Sequence, residues 1–514
     1  MNSKFDELID SESNIRIVKN SLYLYVRMFL TMGVSLYTSR IVLNTLGIHD
    51  YGVYSIVGGV VSLFGFFNST MSSATQRFLS FEIGGGNLES LKKVFNTALV
   101  IHIAIAFVVL ILAETIGLWF VLFKLNVPSN RMEVVHWVYQ FSILTFLLGI
   151  IQVPYNALIV ARERMSIFAY ISIIEVLLKL LILYVLVIFD VDKLKLYAIL
   201  IFLVSLIIRV IYQIYCKMKF AESKYKFYVE KKLYIEMISF TGWSLFGNIA
   251  AIARGQGGNV LLNLFFGTLM NAAYGITLQV QGAVQAFVTN FQMAVNPQII
   301  KQYSAGHKEK SLQLIFQSSK FSFLLMFLIT SPIIFNIDYI LELWLKDPPG
   351  YTSVFIVLSL VNLLIDTISG PLQIGAQASG NIKWYQITIG TLIFLSLPIS
   401  YFMLKLYKIP ELIFIVFITI NILSLFFRLN FLKKMIGLNI KSFLKNVLSK
   451  ILMTSFIVII TFYLFTHFIS LQNTLSGFLL KSISITIINV IIMLTIGLKK
   501  DERKFIFSFI NKRI

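Results

Sequence analysis

A chain of 514 residues that is 57% hydrophobic and only 13% charged, with a mean hydropathy of +0.82, is not a soluble globular protein, since soluble domains carry about 25% charged residues. The net charge of +20 invites a nucleic-acid reading, but the lysines and arginines fall in short stretches between apolar segments and form no contiguous basic face, so nucleic acid is excluded as a partner. Cys216 is the only cysteine, which excludes internal disulfides and argues against a cysteine-based metal site.

Met1 to Lys19 carries Asp6, Glu7, Asp10 and Glu12 ahead of any apolar run. That is not a signal peptide, so the first span is expected to act as the insertion signal. Apolar stretches then recur at the length a bilayer requires. They predict helices at 21–45, 52–80, 94–120, 134–160, 167–189 and 194–216 in the first half. The second half has them at 239–266, 270–298, 313–337, 352–378, 384–404 and 410–431, and a last pair lies at 447–469 and 475–497. The fold class is an all-α integral membrane protein with about 14 transmembrane helices. Its expected parts are an N-lobe (1–216), a basic linker (217–238), a C-lobe (239–432), and a region at 433–514 holding the last pair and a tail. From Lys499 the tail alternates Lys/Arg with Phe and Ile, as an interfacial amphipathic helix does.

Loop charge sets the orientation. With the N-terminus inside, roughly twenty-seven Lys and Arg fall in inner segments and roughly seven in outer ones, which places both termini in the cytoplasm. An internal repeat appears at a shift of roughly 220 residues. Thr75-Gln76-Arg77…Gly85…Ser90-Leu91 matches Asn296-Pro297-Gln298…Gly306…Ser311-Leu312; Tyr51-Gly52 matches Tyr274-Gly275; Pro154, Asn156 and Ala161 match Pro371, Gln373 and Ala378. Six spans per unit is an even number, so both halves enter the membrane from the same side and a pseudo-twofold runs along the membrane normal.

Polar residues recur at helical spacing on the spans that open each half. The first span carries Asn20, Arg27, Thr31, Ser35 and Thr38; the second, Ser62, Ser69, Ser72 and Gln76; the fourth, Ser142, Thr145, Gly149, Gln152 and Asn156. The seventh has Ser244, Asn248, Asn259 and Asn263, the eighth Gln281, Gln285, Thr289, Gln292 and Asn296, and the tenth Asn362, Asp366, Gln373 and Gln377. Each amide alone reads as helix–helix glue, contributing about 0.6 kcal/mol. Five aligned on one helix point to a wet cavity.

Arg27 and Arg254 lie deep in spans, where an arginine costs roughly 3 kcal/mol or more without water or a partner, and neither has a carboxylate spaced to pair with it in its own helix. Arg254 opens Arg254-Gly255-Gln256-Gly257-Gly258. Three glycines in four positions predict a kink or unwound turn lining a cavity, with close helix packing as the alternative. Arg40 and Arg77 lie nearer span ends, where snorkelling accounts for them. Glu175 and Lys179 are four apart and neutralise one another. Asp366 is a lone acid, either a proton or cation site or a protonated, hydrogen-bonded carboxyl. His102 and His467 read as ordinary packed or interfacial residues. Gly84-Gly85-Gly86 is not followed by Lys-Ser/Thr and is a turn, not a phosphate cradle. No nucleophile elbow, paired-histidine or cofactor motif is present, so the sequence predicts no enzyme and no cofactor.

Arg27, the segment Ser39-Arg40-Ile41-Val42-Leu43-Asn44-Thr45-Leu46-Gly47, then Asp50-Tyr51-Gly52-Val53-Tyr54, and Ser73-Ala74-Thr75-Gln76-Arg77-Phe78 resemble the Wzx-type polysaccharide-transport flippases of the multidrug/oligosaccharidyl-lipid/polysaccharide exporter superfamily. The resemblance covers the whole chain, without a motif as diagnostic as a Walker box. It implies a MATE-like arrangement of two lobes in the bacterial inner membrane. It also implies flipping of undecaprenyl-pyrophosphate-linked oligosaccharide, an O-antigen, capsule or exopolysaccharide unit, by alternating access through a cationic cavity. Candidate partners are that lipid-linked oligosaccharide, membrane lipid, a polysaccharide polymerase and chain-length proteins, with a proton or sodium as coupling ion. Arginine suits phosphate and amides suit sugar hydroxyls. The candidate substrate-binding residues are Arg27, Arg254, Arg40, Arg77, Asn248, Asn259, Gln281, Gln285, Gln292 and Gln373, with Asp366 for ion coupling, and Arg27 and Arg254 are expected to hold the pyrophosphate. The alternatives are a cation-coupled multidrug antiporter of the same superfamily and a membrane scaffold whose polar faces bind only partner helices.

Overall fold

A computed structural model describes residues 16–123, 131–468 and 474–503, apart from 35–36, 39–40, 43–44, 47–49, 51–53, 55–56, 58–60, 62–64, 190, 229, 267 and 346–347; at 65–69, 263, 268–269, 272 and 467–468 it describes the backbone alone. Arg40, Ser35, Ser62, Tyr51, Gly52 and the tail beyond 503 lie outside the described residues, as do the side chains of Ser69, Asn263 and His467.

The described residues are helical nearly throughout. In hydrocarbon every backbone polar group must be satisfied within the chain, and an α-helix does this within one segment. Residues 16–34 are helical and begin α1. Then come α2 (Gly65–Gly85), α3 (Leu88–Leu112, continuing through a π-turn at Ala113–Gly117 to Phe123), α4 (Met132–Ala161), α5 (Met165–Ile188) and α6 (Lys193–Lys219). The second half has α7 (Lys231–Phe266), α8 (Thr268–Ser304), α9 (Lys308–Phe335), α10 (Thr352–Ala378), α11 (Lys383–Tyr407) and α12 (Leu412–Ile436). The last pair is α13 (Ile440–Thr466) and α14 (Leu475–Gly497). Among the described residues, 11 helices are long and apolar enough to cross a membrane, and α8 is longer still but carries the amide stripe.

Asparagine, aspartate and threonine side chains cap the starts of three helices. Asn87 accepts from the backbone N–H of Glu89 and Ser90 at the start of α3, Asp192 from Leu194 and Lys195 at the start of α6, and Thr474 from Gly477 at the start of α14. Each satisfies N–H groups that a helix start leaves orphaned. The turns after α2 and α8 place a glycine at positive φ, Gly86 at +72° and Gly306 at +84°. The structural equivalent of Gly306 is therefore Gly86, one residue beyond the Gly85 matched by sequence.

The chain divides into two compact units, residues 16–245 and 246–503 of those described. Inside the first, α4 packs against α2, α3 and α6, and α5 lies on α6. Inside the second, α10 packs against α8, α9 and α12, and α11 lies on α12. The repeat seen in sequence is thus also a repeat of neighbours. The last pair attaches to α9: Asn489 Nδ2 donates to Ser331 Oγ at 2.5 Å, and Phe335 meets Phe462 with ring centroids 4.7 Å apart.

The predicted unwinding at Arg254–Gly258 is not observed: α7 is continuous from Lys231 to Phe266. Gly257 and Gly258 serve packing instead. A Cβ on Gly257 would come within 2.7 Å of the Leu397 methyls, and one on Gly258 within 3.1 Å of Tyr274 Oη. Tyr274 Oη also donates to the Gly255 carbonyl at 3.0 Å. The helix keeps its own bonds because the missing side chains let neighbours approach.

Candidate functional site

The polar residues of the C-terminal unit fall into three groups. The first is a thread across helices. Arg254 Nη1 on α7 donates to Asn421 Oδ1 on α12 at 3.0 Å, and Asn421 Nδ2 donates to Asn362 Oδ1 on α10 at 2.7 Å. The Arg254 guanidinium also lies 5.5 Å from the Phe417 ring centroid, close enough for a cation–π contribution. The sequence could not show this partner, because Asn421 is 167 residues away.

The second group lines a cavity of about 190 Å³. Gln285, Thr289 and Gln292 reach it from α8, Asp366, Thr367, Ser369 and Gln373 from α10, and Arg428 from α12. Three of the predicted amides and the predicted lone acid are thus brought together. Gln292 is held in place: its Nε2 donates to Ser322 Oγ at 3.1 Å and to the Thr367 carbonyl at 3.2 Å. Gly370 makes room for it, since a Cβ there would stand 2.6 Å from Gln292 Oε1.

Arg428 is the residue that sequence reasoning missed. It is 6% exposed, donates from Nη1 to Tyr385 Oη, and its buried Nε has no hydrogen-bond partner. Asp366 makes no hydrogen bond among the described residues but lies within electrostatic reach of Arg254 and Tyr385. Arg254 and Arg428 also feel one another. Two guanidiniums and one carboxylate therefore share a polar, membrane-buried neighbourhood with a surplus of positive charge, and such groups are kept at membrane depth for function far more often than for stability. The signal for Arg428 was its place in the apolar run Leu425-Phe426-Phe427 to Leu429. Taking that span to end at 431 put it at the edge; α12 continues to Ile436 and puts it inside.

The third group is structural. Gln281 accepts from Ser359 Oγ at 2.8 Å, joining α8 to α10. Asn259 accepts from Asn271 Nδ2, at 2.9 Å on its carbonyl and 2.5 Å on its side chain, tying α7 to α8. Asn248 is half-buried on α7 and does not line the cavity.

In the N-terminal unit Arg27 is half-buried on α1, 4.6 Å from the Phe168 ring centroid, with Nε and Nη1 buried and without hydrogen bonds. Glu175 is within its electrostatic reach, but that carboxylate is bound by Lys179 at 2.6 Å, as the i,i+4 spacing predicted. Arg77 does not snorkel. It is 4% exposed, with Phe78, Phe81 and Phe240 centroids 4.6, 4.8 and 5.2 Å from the guanidinium carbon. An aromatic cage compensates the charge where water cannot reach. His102 is packed, its Nδ1 2.7 Å from the Ala98 carbonyl.

At the end of this unit that the loop charges read as outer, Arg131 joins three segments. It donates to Asp50 from Nε at 3.1 Å and from Nη2, and to Asp192 from Nη1 at 2.6 Å.

The MatE family profile matches residues 24–185, and no curated protein matches the chain. Solved structures similar in fold include an outward-facing multidrug resistance MATE family transporter of the MOP superfamily (11% identity, TM-score 0.68, covering 82% of this chain and 96% of that one). The MATE transporter ClbM in complex with Rb+ is similar as well (16% identity, TM-score 0.67, 83% and 96%), as is a mutant of the Vibrio cholerae MATE transporter VcmN (16% identity, TM-score 0.63, 82% and 97%). The chain therefore has the multi-pass helical fold of the MATE transporters.

Proposed function

We propose that this chain is a membrane transporter that flips an anionic, lipid-linked oligosaccharide across the bacterial inner membrane by alternating access. The observation that carries this reading is the positive surplus around the cavity of α8, α10 and α12. Arg254 and Arg428 face a single carboxylate, Asp366, and Arg428 Nε and the cavity amides Gln285 and Gln373 are left without protein partners among the described residues. A cationic solute would be repelled there. A phosphate would meet charge-assisted donors, and sugar hydroxyls would meet amides that both donate and accept. Arg27, with two buried unpaired donors, is the corresponding anion ligand of the N-terminal unit.

A second reading has its own support. The solved structures of similar fold include a multidrug resistance transporter and one bound to Rb+, and Asp366 gives this cavity an acid able to bind a proton or a monovalent cation. On the comparisons alone, cation-coupled multidrug export is the better supported of the two.

One experiment separates them. The purified protein in proteoliposomes is assayed for translocation of a polyprenyl-pyrophosphate oligosaccharide and, in parallel, for efflux of a cationic dye. Flipping that falls about tenfold to a hundredfold in Arg428→Gln or Arg254→Gln, the loss expected for a charged hydrogen bond of roughly 1.5–3 kcal/mol, supports the first reading. Dye efflux driven by an ion gradient and abolished by Asp366→Asn, with no glycolipid movement, establishes the second.

A further inference from the structure

Residues 217–232 read in sequence as a basic connector. In the structure the described residues among them, 217–228 and 230–232, are folded onto the N-terminal unit, and the charges are sorted by sign. Glu222, its side chain 2% exposed, accepts from Arg162 Nε at 2.8 Å and Nη2 at 2.5 Å. Ser223 is buried, and its hydroxyl donates to the Phe220 carbonyl at 2.9 Å. The backbone N–H of Lys226 donates to Asn96 Oδ1 on α3 at 2.8 Å, and Glu230 pairs with Lys93 at 3.1 Å. Both acids of the segment are engaged by the unit beneath. All six lysines, Lys217, Lys219, Lys224, Lys226, Lys231 and Lys232, are exposed.

The apolar residues are sorted the opposite way from a soluble surface. Met218, Tyr225 and Phe227 are exposed while a glutamate and a serine are buried. Such an inversion marks a surface that meets something other than water. The position says what. The segment leaves the end of α6, whose 27 residues span about 40 Å, and turns directly into α7. It therefore lies where a bilayer's polar face begins. Aromatic side chains favour headgroup depth, and clusters of four to eight lysines beside a span attract anionic lipid. Orientation signals alone would account for the lysines; they would not account for the buried Glu222 or for outward aromatic rings.

We infer that residues 217–232 form a docking surface for anionic phospholipid headgroups, with the lysines holding phosphate and Tyr225 and Phe227 seated among the headgroups. The inference stands independently of which solute the protein moves.

The test uses the full chain, extracted from nanodiscs of equal phosphatidylglycerol and phosphatidylcholine, with retained lipid counted by native mass spectrometry. The variant Lys224→Gln/Lys226→Gln leaves four lysines of the segment to hold topology. Lys433→Gln/Lys434→Gln removes the same charge from the last turn of α12 and serves as control. The wild type and the control are expected to retain phosphatidylglycerol preferentially, and the segment variant to lose that preference by about tenfold or more, from about 1 kcal/mol per lysine near a membrane surface. Adding Tyr225→Ser/Phe227→Ser to the wild type, with all lysines kept, should also lower retention. Equal loss in segment variant and control would show a general field of the basic protein and overturn the inference. So would a wild type with no preference for phosphatidylglycerol.

Discussion

The buried ion pair between Lys320 and Glu502 ties the end of the described chain to α9, and removing one partner should detach it. The side chains are 2% and 7% exposed, and Lys320 Nζ lies 2.5 Å from Glu502 Oε2, which also accepts the Lys499 backbone N–H at 2.8 Å. Glu502→Ala leaves an ammonium buried without a counter-charge, which typically costs about 3–5 kcal/mol. The pair borders a cavity of about 420 Å³ whose wall also includes Gln313, Gln317, Asn439 and Asn446. Water admitted there can rehydrate Lys320, so the lower end, about 3 kcal/mol, is the expected loss. Glu502→Gln should lose less, because the amide oxygen still accepts. The double variant Lys320→Met/Glu502→Leu should recover most of the loss, since a packed apolar pair is often as stable as a buried ionic one. Thermal unfolding of the four proteins in one detergent, followed by loss of the monodisperse peak, reads the order. Limited proteolysis reports release of the C-terminal segment. Single variants that unfold with the wild type, or a double variant no better than Glu502→Ala, would refute the reasoning.

Acid should loosen the Arg131 cluster. Burial alone would raise the Asp192 carboxyl, but the backbone N–H of Lys195, the Arg131 guanidinium and the backbone N–H of Leu194 outweigh it and hold the carboxyl below its usual range. A depressed folded-state value contributes stability that is present above the unfolded pKa, about 3.9, and is lost as pH falls through the folded value. Proteolysis next to Arg131 and Asp192 should therefore be unchanged from pH 7 to 5 and accelerate below about pH 4; Arg131→Gln should raise cleavage at neutral pH and flatten the profile. Gly370→Ala should push Gln292 off Ser322 and Thr367, costing about 1–3 kcal/mol, and adding Gln292→Ala should relieve it; no relief would show that the crowding lies elsewhere. For topology, a cysteine replacing Lys224 should be protected from an impermeant reagent added outside, while Gly267→Cys or Asn473→Cys should react, with the buried Cys216 silent; external labelling at 224 would reverse the orientation.

Much of the fold was readable because a bilayer imposes so few solutions. Apolar runs of the right length had to be helices, and the repeat around Gly306 and Pro371 reappears as the shared neighbour pattern of α4 and α10. What the sequence could not supply was cross-helix register. The glycines after Arg254 weaken a helix in isolation, yet Leu397 and Tyr274, from other helices, make Gly257 and Gly258 contact points. Arg77 looked like a residue reaching for water because Phe240 lies 163 positions away; only folding brings its ring over the guanidinium. Glu222 and Glu230 were submerged in the lysine count of their segment, and their docking on Arg162 and Lys93 turns a connector into part of the unit.

The same limit governs the candidate site. Gln281, Gln285 and Gln292 are three residues of one helical face, indistinguishable by spacing, and the structure gives them three different circumstances. Gln281 is taken by Ser359, Gln292 is braced by Ser322 and Thr367 while its edge meets the cavity, and Gln285 lines the cavity with its amide unbound among the described residues. Interhelical amide bonds contribute only about 0.6 kcal/mol each on average, so stability alone is a weak reason to keep an unbonded amide at membrane depth. Gln285 and Gln373, together with Asp366 and the free Nε of Arg428, are the groups whose presence the fold itself does not require. That residue set, rather than the amide stripe as a whole, is where a solute or a coupling ion has donors and acceptors to claim.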